Sequence, residues 1–537
     1  MAEDARARGV SPGGTYKTLD EQREVLSPAE EKFERARQTI GLFLGPVAFL
    51  IMYFAPLPLD ANQQALAAIL SFTIVYWLSE AIPIPITAIL ALALCVLLAV
   101  PPIESGSDDS ASDIVYGSFA SDTIFLFIGA FIIAQAMRTH GLDRRFAFRV
   151  LSLPGVAKST YGVIIAFGAI AALISAFISN TATAAMLLPI GLGMMGALGG
   201  LVSEQSDEDT ADVSRLRFGT ALMLMISYGA GVGGLLTPIG TPPNLIGIEF
   251  IEQETDATIT FFGWVLTALP ICLIMFAALC VILIALNRPE VRRISGADRY
   301  INEQRREIGP LSRGEKNTLI VFGVAVSLWV LPGVVALLFG NESEIYGAVG
   351  DRLDEGTVAI IAATLLFLLP IDWARRRFTM NWNEAVRIDW GTVILFGCGI
   401  ALGTLLSETG LAEVLGKGIA ESLGVTSLLA VSAVSALIAI IISETTSNTA
   451  SATIVVPIVI PIAAAAGLDP VIPALAAVFG ASFGFMMPVS TPQNAVVYGS
   501  GMIPITKMVR SGISFDIIGI ILIVLLIPVM ARLTGLV

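Results

Sequence analysis

Ser179-Asn180-Thr181-Ala182-Thr183-Ala184-Ala185, running on to Pro189, returns 268 residues later as Ser447-Asn448-Thr449-Ala450-Ser451-Ala452-Thr453, running on to Pro457. Each copy lies in the middle of a long apolar stretch, 159–199 and 427–466. Either stretch is too long for one membrane crossing of about 20 residues. Polar, irregular backbone at membrane depth is tolerated only where protein buries it or it lines a wet cavity. Both stretches therefore read as re-entrant hairpins with the Ser-Asn-Thr at the tip.

The rest of the chain supports a membrane setting. Of 537 residues, 55% are hydrophobic and 14% charged, with a mean hydropathy of +0.81. Soluble domains average about 45–50% apolar and about 25% charged. Apolar spans are expected at about 40–58, 63–80, 83–101, 122–139, 216–249, 260–287, 317–339, 355–371, 390–407, 472–499 and 513–534. The expected fold is all-α and polytopic: 11 transmembrane spans plus two re-entrant hairpins.

Charge in the loops orients these spans, because Lys and Arg mark the cytoplasmic side. The segments 138–149, 288–316 and 372–389 are rich in arginine, whereas 102–121 and 250–259 carry only acids and 340–354 is acidic apart from Arg352. Eleven spans with a cytoplasmic N-terminus put the basic loops inside, the acidic loops outside, and the C-terminus outside. Residues 1–39 read as a polar cytoplasmic tail, not a signal peptide. The expected home is the plasma membrane, with lipid as surroundings.

Two more matches keep the order of the first. Pro238-Ile239-Gly240-Thr241-Pro242-Pro243-Asn244 pairs with Pro488-Val489-Ser490-Thr491-Pro492-Gln493-Asn494, and Thr123 to Leu142 pairs more weakly with Thr392 to Leu411. The span before the first hairpin runs inward and the span before the second runs outward. The repeats are therefore inverted, an arrangement typical of secondary transporters with a site at the repeat interface. The division expected is a tail (1–39), scaffold helices (40–158), a first transport half (159–287), a basic linker (288–316), further scaffold (317–426) and a second transport half (427–537).

Chemistry follows from the breaks. A helix that begins after a break presents unpaired N–H groups and a positive dipole end, which attract an anion. The helix that ends there offers carbonyl oxygens, which with Ser and Asn oxygens suit a small hard cation. Two tips can grip the two ends of a dianion. Few ionisable residues occupy the spans, chiefly Glu80 and Glu444, so Na+ is favoured over protons as the coupling ion. Glu80 reads as structural, and Glu444 either as a hydrogen-bonded structural carboxylate or as a group that orients the hairpin or titrates. The net charge of −13 argues against nucleic acid as a partner. Cys95, Cys272, Cys280 and Cys398 form neither a metal pattern nor a disulfide framework. A hydrolase built on Ser179 or Ser447 would need a base beside the hydroxyl, and no His or Lys is near either in sequence, so no enzyme is expected. An anion channel fits paired ion sites less well than a carrier does.

Trp77 to Pro85, Ser179 to Pro189, Pro238 to Asn244, Ser443 to Pro457 and Pro488 to Gly501 resemble the divalent anion:sodium symporter family, from about residue 40 to the C-terminus. That resemblance implies a homodimer, an elevator-type motion and Na+-coupled symport of small dianions, C4 dicarboxylates such as succinate, malate and fumarate first among them. An Na+-independent dicarboxylate exchanger, or a sulfate or citrate carrier of the same fold, is the alternative. Carried over, the substrate lies among Ser179, Asn180, Thr181, Ser447, Asn448 and Thr449, with Thr241, Pro242, Thr491 and Pro492 nearby. One Na+ falls among Ser175, Ser179, Asn180 and Gly240, and its mirror among Ser443, Asn448 and Ser490. Gln493, where proline is more usual, and the small-residue variants Ser443 and Ser490 are departures that bear on the second ion site.

Overall fold

Four of the apolar runs are interrupted at the duplicated motifs. In the computed structural model, which describes residues 28–102, 110–156, 159–205, 216–255, 257–290, 297–340, 343–350, 352–423 and 427–536, the two Thr-Pro motifs each end one helix and start another. The run 216–249 is split into Arg217–Gly234 and Pro242–Glu254, and 472–499 into Val471–Ala481 and Pro492–Tyr498. Thr241 and Thr491 are extended, with φ −148° and −143°. The following proline then takes the first helical position, where its fixed φ suits the helix and its missing N–H costs nothing. The hairpin stretches break likewise, into Thr160–Ser175 and Asn180–Gln205, and into Leu428–Thr445 and Asn448–Ala465.

Eight helices among the described residues are long and apolar enough to cross a membrane. Others are too short: Thr160–Ser175 rises about 24 Å and Val471–Ala481 about 16 Å at 1.5 Å per residue, against a hydrocarbon core of about 30 Å. On the terminal helix Ile505–Leu533, Ile517, Ile521, Leu525 and Val529 form an exposed stripe while Phe515, Ile523 and Ile527 on another face are buried. An exposed apolar stripe of this kind marks the side of a helix that meets lipid.

The chain divides into two units. The first comprises Met1–His140, Lys316–Leu328 and Arg352–Leu405. There the helices Asp122–Thr139 and Glu355–Leu368 meet through small residues: a methyl group on Gly129 would lie 2.5 Å from the Ala359 carbonyl carbon, and one on Gly356 2.3 Å from the Asp122 carbonyl oxygen. Backbone contact of this closeness is how apolar helices attract without a hydrophobic drive between them. The first helix, Pro28–Phe54, begins well before the apolar run, and its Arg37 pairs with Glu34 at 2.7 Å and reaches Glu80 at 3.7 Å. Glu80 ends the next helix in the left-handed region, φ 48°, which fits its structural reading. The single histidine, His140, binds the Thr379 carbonyl through Nε2 at 2.7 Å.

The second unit comprises Gly141–Glu315, Trp329–Asp351 and Leu406–Val537 and contains all the tip and break residues named above. Arg145 ties its basic segment together, with Nε 2.6 Å from Glu315 Oε1, Nη2 3.0 Å from Oε2, and Nη1 2.8 Å from the Gly309 carbonyl. Glu315 is buried. Removing one partner of a buried ion pair strands the other's charge. Arg145→Ala is therefore expected to destabilise the protein by about 3 kcal/mol, read as a lowered midpoint in thermal unfolding of the detergent-purified chain; an unchanged midpoint would show that water already screens Glu315.

Candidate functional site

The two repeats build the same local structure at their breaks. Asn244 Nδ2 donates to the Gly234 and Thr237 carbonyls, both at 2.8 Å; Asn494 Nδ2 donates to the Gly484 and Met487 carbonyls at 2.8 and 3.0 Å. These partners are related by the offset that relates the two Thr-Pro motifs. Each asparagine thus stitches the end of one half-helix to the start of the next and satisfies carbonyls that the break would leave unpaired.

The tips repeat a second pattern. Ser175 Oγ donates to Asn180 Oδ1 at 2.5 Å, and Ser443 Oγ to Asn448 Oδ1 at 2.8 Å. Ser179 and Ser447 precede the new helices and accept from the N–H of Ala182 at 3.3 Å and Ala450 at 3.2 Å. Serine is favoured at such a position because its oxygen caps a first-turn donor while its own proton stays free to be given elsewhere. Asn180 and Asn448 are buried, Thr181 and Thr449 are half-buried, and Ser179 is exposed.

Glycine brings tip and break together. A methyl group on Gly234 would lie 2.6 Å from Asn180 Oδ1 and 3.2 Å from Thr241 Cβ. Its repeat mate Gly484 would place one 3.1 Å from Asn448 Oδ1, 3.1 Å from Thr491 Cγ2 and 3.2 Å from Ser443 Oγ. A methyl group on Gly240 would meet the Gly234 and Ala176 carbonyl oxygens at 2.5 and 3.1 Å. So the structure gathers Ser175, Asn180, Gly240 and Thr241 around one cleft, and Ser443, Asn448 and Thr491 around another. Pro242 and Pro492 are half-buried at the helix starts that follow. Gly234 is one of the glycines before the first break whose spacing allows close backbone approach, while Gly484 is a cleft residue that sequence reading passed over; its offset from Gly234 was the available signal.

Oxygen is the dominant element in both clefts, all of it neutral except for one carboxylate. Ser490 Oγ donates to the Glu444 carbonyl at 2.8 Å and to Glu444 Oε2 at 2.7 Å. Glu444 Oε1 accepts from the N–H groups of Phe485 and Met486 at 2.5 and 2.7 Å. Glu444 is therefore a strut between the second tip and the second break, as the orienting reading has it. In the first repeat the corresponding residue is Ala176, whose carbonyl accepts from Thr237 Oγ1. Several buried oxygens near these features find no donor among the described residues: Thr183 Oγ1, Asn244 Oδ1, Ser482 Oγ, Thr491 Oγ1 and both carboxylate oxygens of Asp516. Asp516 was not counted among the few intramembrane acids, and it lies in the apolar run 513–534 with no counterpart in the motifs.

The repeats are also interlocked. The helix starting at Asn180 packs on Pro492–Tyr498, and the helix starting at Asn448 packs on Pro242–Glu254. Ser227 Oγ reaches Asn494 Oδ1 at 2.6 Å across the same boundary, and Tyr228 Oη donates to the Phe485 carbonyl at 2.5 Å. Each tip thereby rests on the broken helix of the other repeat.

Residues 36–536 match the family described as "Sodium:sulfate symporter transmembrane region". The chain is similar to the sodium-dependent dicarboxylate transporter SdcS of Staphylococcus saprophyticus, 32% identical over 502 residues, covering 93% of this chain and 92% of that protein. It is also similar to the protein of the same name from Staphylococcus aureus, 32% identical over 496 residues, covering 92% and 91%. Among solved structures, the Alcanivorax borkumensis YdaH transporter aligns with a TM-score of 0.49 at 14% identity, covering 84% of this chain and 97% of that one.

Proposed function

The chain belongs to the sodium:sulfate symporter family, the divalent anion:sodium symporters, and on that premise we propose that it is a secondary transporter that moves a C4 dicarboxylate across the plasma membrane together with Na+. It is a carrier and not an enzyme. The observation that carries the reading is the pair of matching tips, each with a capped helix start facing an oxygen-lined glycine cleft.

Ser179, Asn180, Thr181, Ser447, Asn448 and Thr449 hold the substrate in this reading, with Thr241, Pro242, Thr491 and Pro492 shaping the break beside it. Each carboxylate of the dianion takes first-turn N–H groups and tip hydroxyls, whose charge-assisted bonds are stronger than neutral ones. The clefts suit Na+. Hard cations take oxygen ligands, and the space a methyl group on Gly240 or Gly484 would fill is bounded mainly by oxygens. Ser175, Ser179, Asn180 and Gly240 would hold one ion, and Ser443, Asn448 and Ser490 the other. Bound Na+ supplies positive charge that draws the dianion to the tips and lowers the cost of gathering two carboxylates there. Such differential affinity is what couples the two solutes.

The eleven-span, two-hairpin topology, inverted repeats, cytoplasmic N-terminus, homodimer and elevator motion belong to the same proposal. The Arg-rich segments support the orientation, and Thr160–Ser175, too short to cross, supports the first hairpin, whereas Leu428–Thr445 and Asn448–Ala465 of the second are each long enough to cross. The test is uptake of labelled succinate into proteoliposomes, with and without an inward Na+ gradient, against unlabelled malate, citrate and sulfate. Saturable uptake that needs Na+ is expected. Uptake that ignores Na+ but needs internal dicarboxylate would make the protein an exchanger, and the paired ion sites would then be wrong.

A further inference from the structure

Asp516 is buried, 5% exposed, and neither of its carboxylate oxygens has a hydrogen-bond donor. Its helix is pressed against the second break: a methyl group on Gly512 would lie 2.5 Å from Met486 Cα, and Phe515 stacks on Phe483 at 5.5 Å. This position sets Asp516 beside Glu444, with which it interacts directly. Glu444 spends its oxygens on Phe485 N, Met486 N and Ser490 Oγ, donors that suit an ionised carboxylate. The neighbouring Tyr228 gives its proton to the Phe485 carbonyl, 2.5 Å away, and so cannot neutralise either acid. Among the described residues, no Lys, Arg or His pairs with Glu444 or Asp516.

Two adjacent carboxylates in a dry interior repel each other and have lost their hydration. The arrangement lacks a positive charge. Nothing like it exists at the first tip, where Ala176 stands in place of Glu444. We propose that Glu444 and Asp516 form an additional monovalent cation site, beside the second glycine cleft and linked to it through Ser490, that takes Na+. The two carboxylates supply charge and hard oxygens. The three donors on Glu444 fix one of them in position, and among the described residues no N–H or hydroxyl group competes for the oxygens of Asp516 that face it. This inference rests on the sodium-symporter reading above and makes the second repeat the more strongly cation-binding of the two.

The experiment measures thermal unfolding of the full chain in detergent as NaCl replaces choline chloride, for the wild type, Asp516→Asn and Asp516→Glu. A ligand that binds only the folded state raises stability with the logarithm of its concentration, by an amount set by the number of ions bound. Asp516→Asn removes the excess charge and offers Glu444 an N–H. It is expected to be more stable than wild type in choline, and to gain less from Na+, its slope falling by one ion. Asp516→Glu keeps the charge and is expected to keep the Na+ slope, which shows that the loss is not general damage. An equal Na+ slope in wild type and Asp516→Asn overturns the proposal. So does a wild-type protein whose stability in choline follows pH while Asp516→Asn alters that and not the Na+ slope, since a shared proton would then be the missing charge. Succinate uptake is measured on the same preparations. Absence of Na+-driven uptake by the wild type counts against the symporter reading alone, because the unfolding slopes still decide the cation site.

Discussion

Asn180→Ala and Asn448→Ala each bring Na+-driven succinate uptake close to background, while the purified protein still elutes as a single folded species. Each asparagine supplies Oδ1 to its cleft and accepts from a serine hydroxyl, Ser175 at 2.5 Å or Ser443 at 2.8 Å. Asn448 also donates to the Ser482 carbonyl at 3.4 Å. In the proposed role each also helps hold the cation and the anion. A hydrogen bond to a charged group contributes about 1.5–3 kcal/mol. Losing one therefore lowers affinity by roughly 10- to 150-fold, and losing contacts to ion and substrate together lowers it further. Cooperation between the tips makes either variant sufficient. Proteoliposome uptake with matched protein content reads the effect, and wild-type rates in either variant would sink the site assignment.

Gly233→Ala is expected to cost the fold instead. Its methyl group would lie 2.1 Å from the Ala172 carbonyl oxygen and 2.3 Å from Ala172 Cα, backbone atoms with no rotamer to escape into. The helices Thr160–Ser175 and Arg217–Gly234 would have to move apart, losing contact along their length. Overpacking of this kind costs about 1–3 kcal/mol or more. The unfolding midpoint should drop and most of the protein should aggregate on extraction. Gly484→Ala is the informative contrast. Its methyl group would meet Asn448 Oδ1, Thr491 Cγ2 and Ser443 Oγ at 3.1–3.2 Å, side chains that can give way. That variant should stay folded and need about tenfold more Na+ for half-maximal uptake, a loss of about 1.4 kcal/mol. A Gly233→Ala protein with the wild-type midpoint would mean that these helices are not in backbone contact.

Much of this was readable in the sequence. Duplicated Ser-Asn-Thr and Thr-Pro motifs mark where helices are interrupted, and the structure breaks beside those residues, whereas Pro189 and Pro457 further along are accommodated inside helices. Tertiary relations were not readable in the same way. Gly484 looks like any glycine of an apolar run until a tip is seen resting on it. Asp516 is one acid in an apolar run, and only packing against the second break puts it beside Glu444. The helix start at Pro28 was hidden because residues 28–39 are polar, and a helix in water needs no apolar run. Glu80 was readable as structural from its place at a span end.

The exchange of partners between repeats bears on how the chain is made. Pro242–Glu254 finds its packing surface on the helix that begins at Asn448. At about 5–20 residues per second, a ribosome takes roughly 10–40 s to travel from one to the other. Throughout that interval the opened backbone of the first break lacks the helix that covers it in the finished fold. The nascent first half is thus an intermediate that depends on the insertion machinery or on lipid to shelter it. A gene cut at the basic linker would yield two fragments, each holding half of the other's core, so neither is a smaller carrier in its own right.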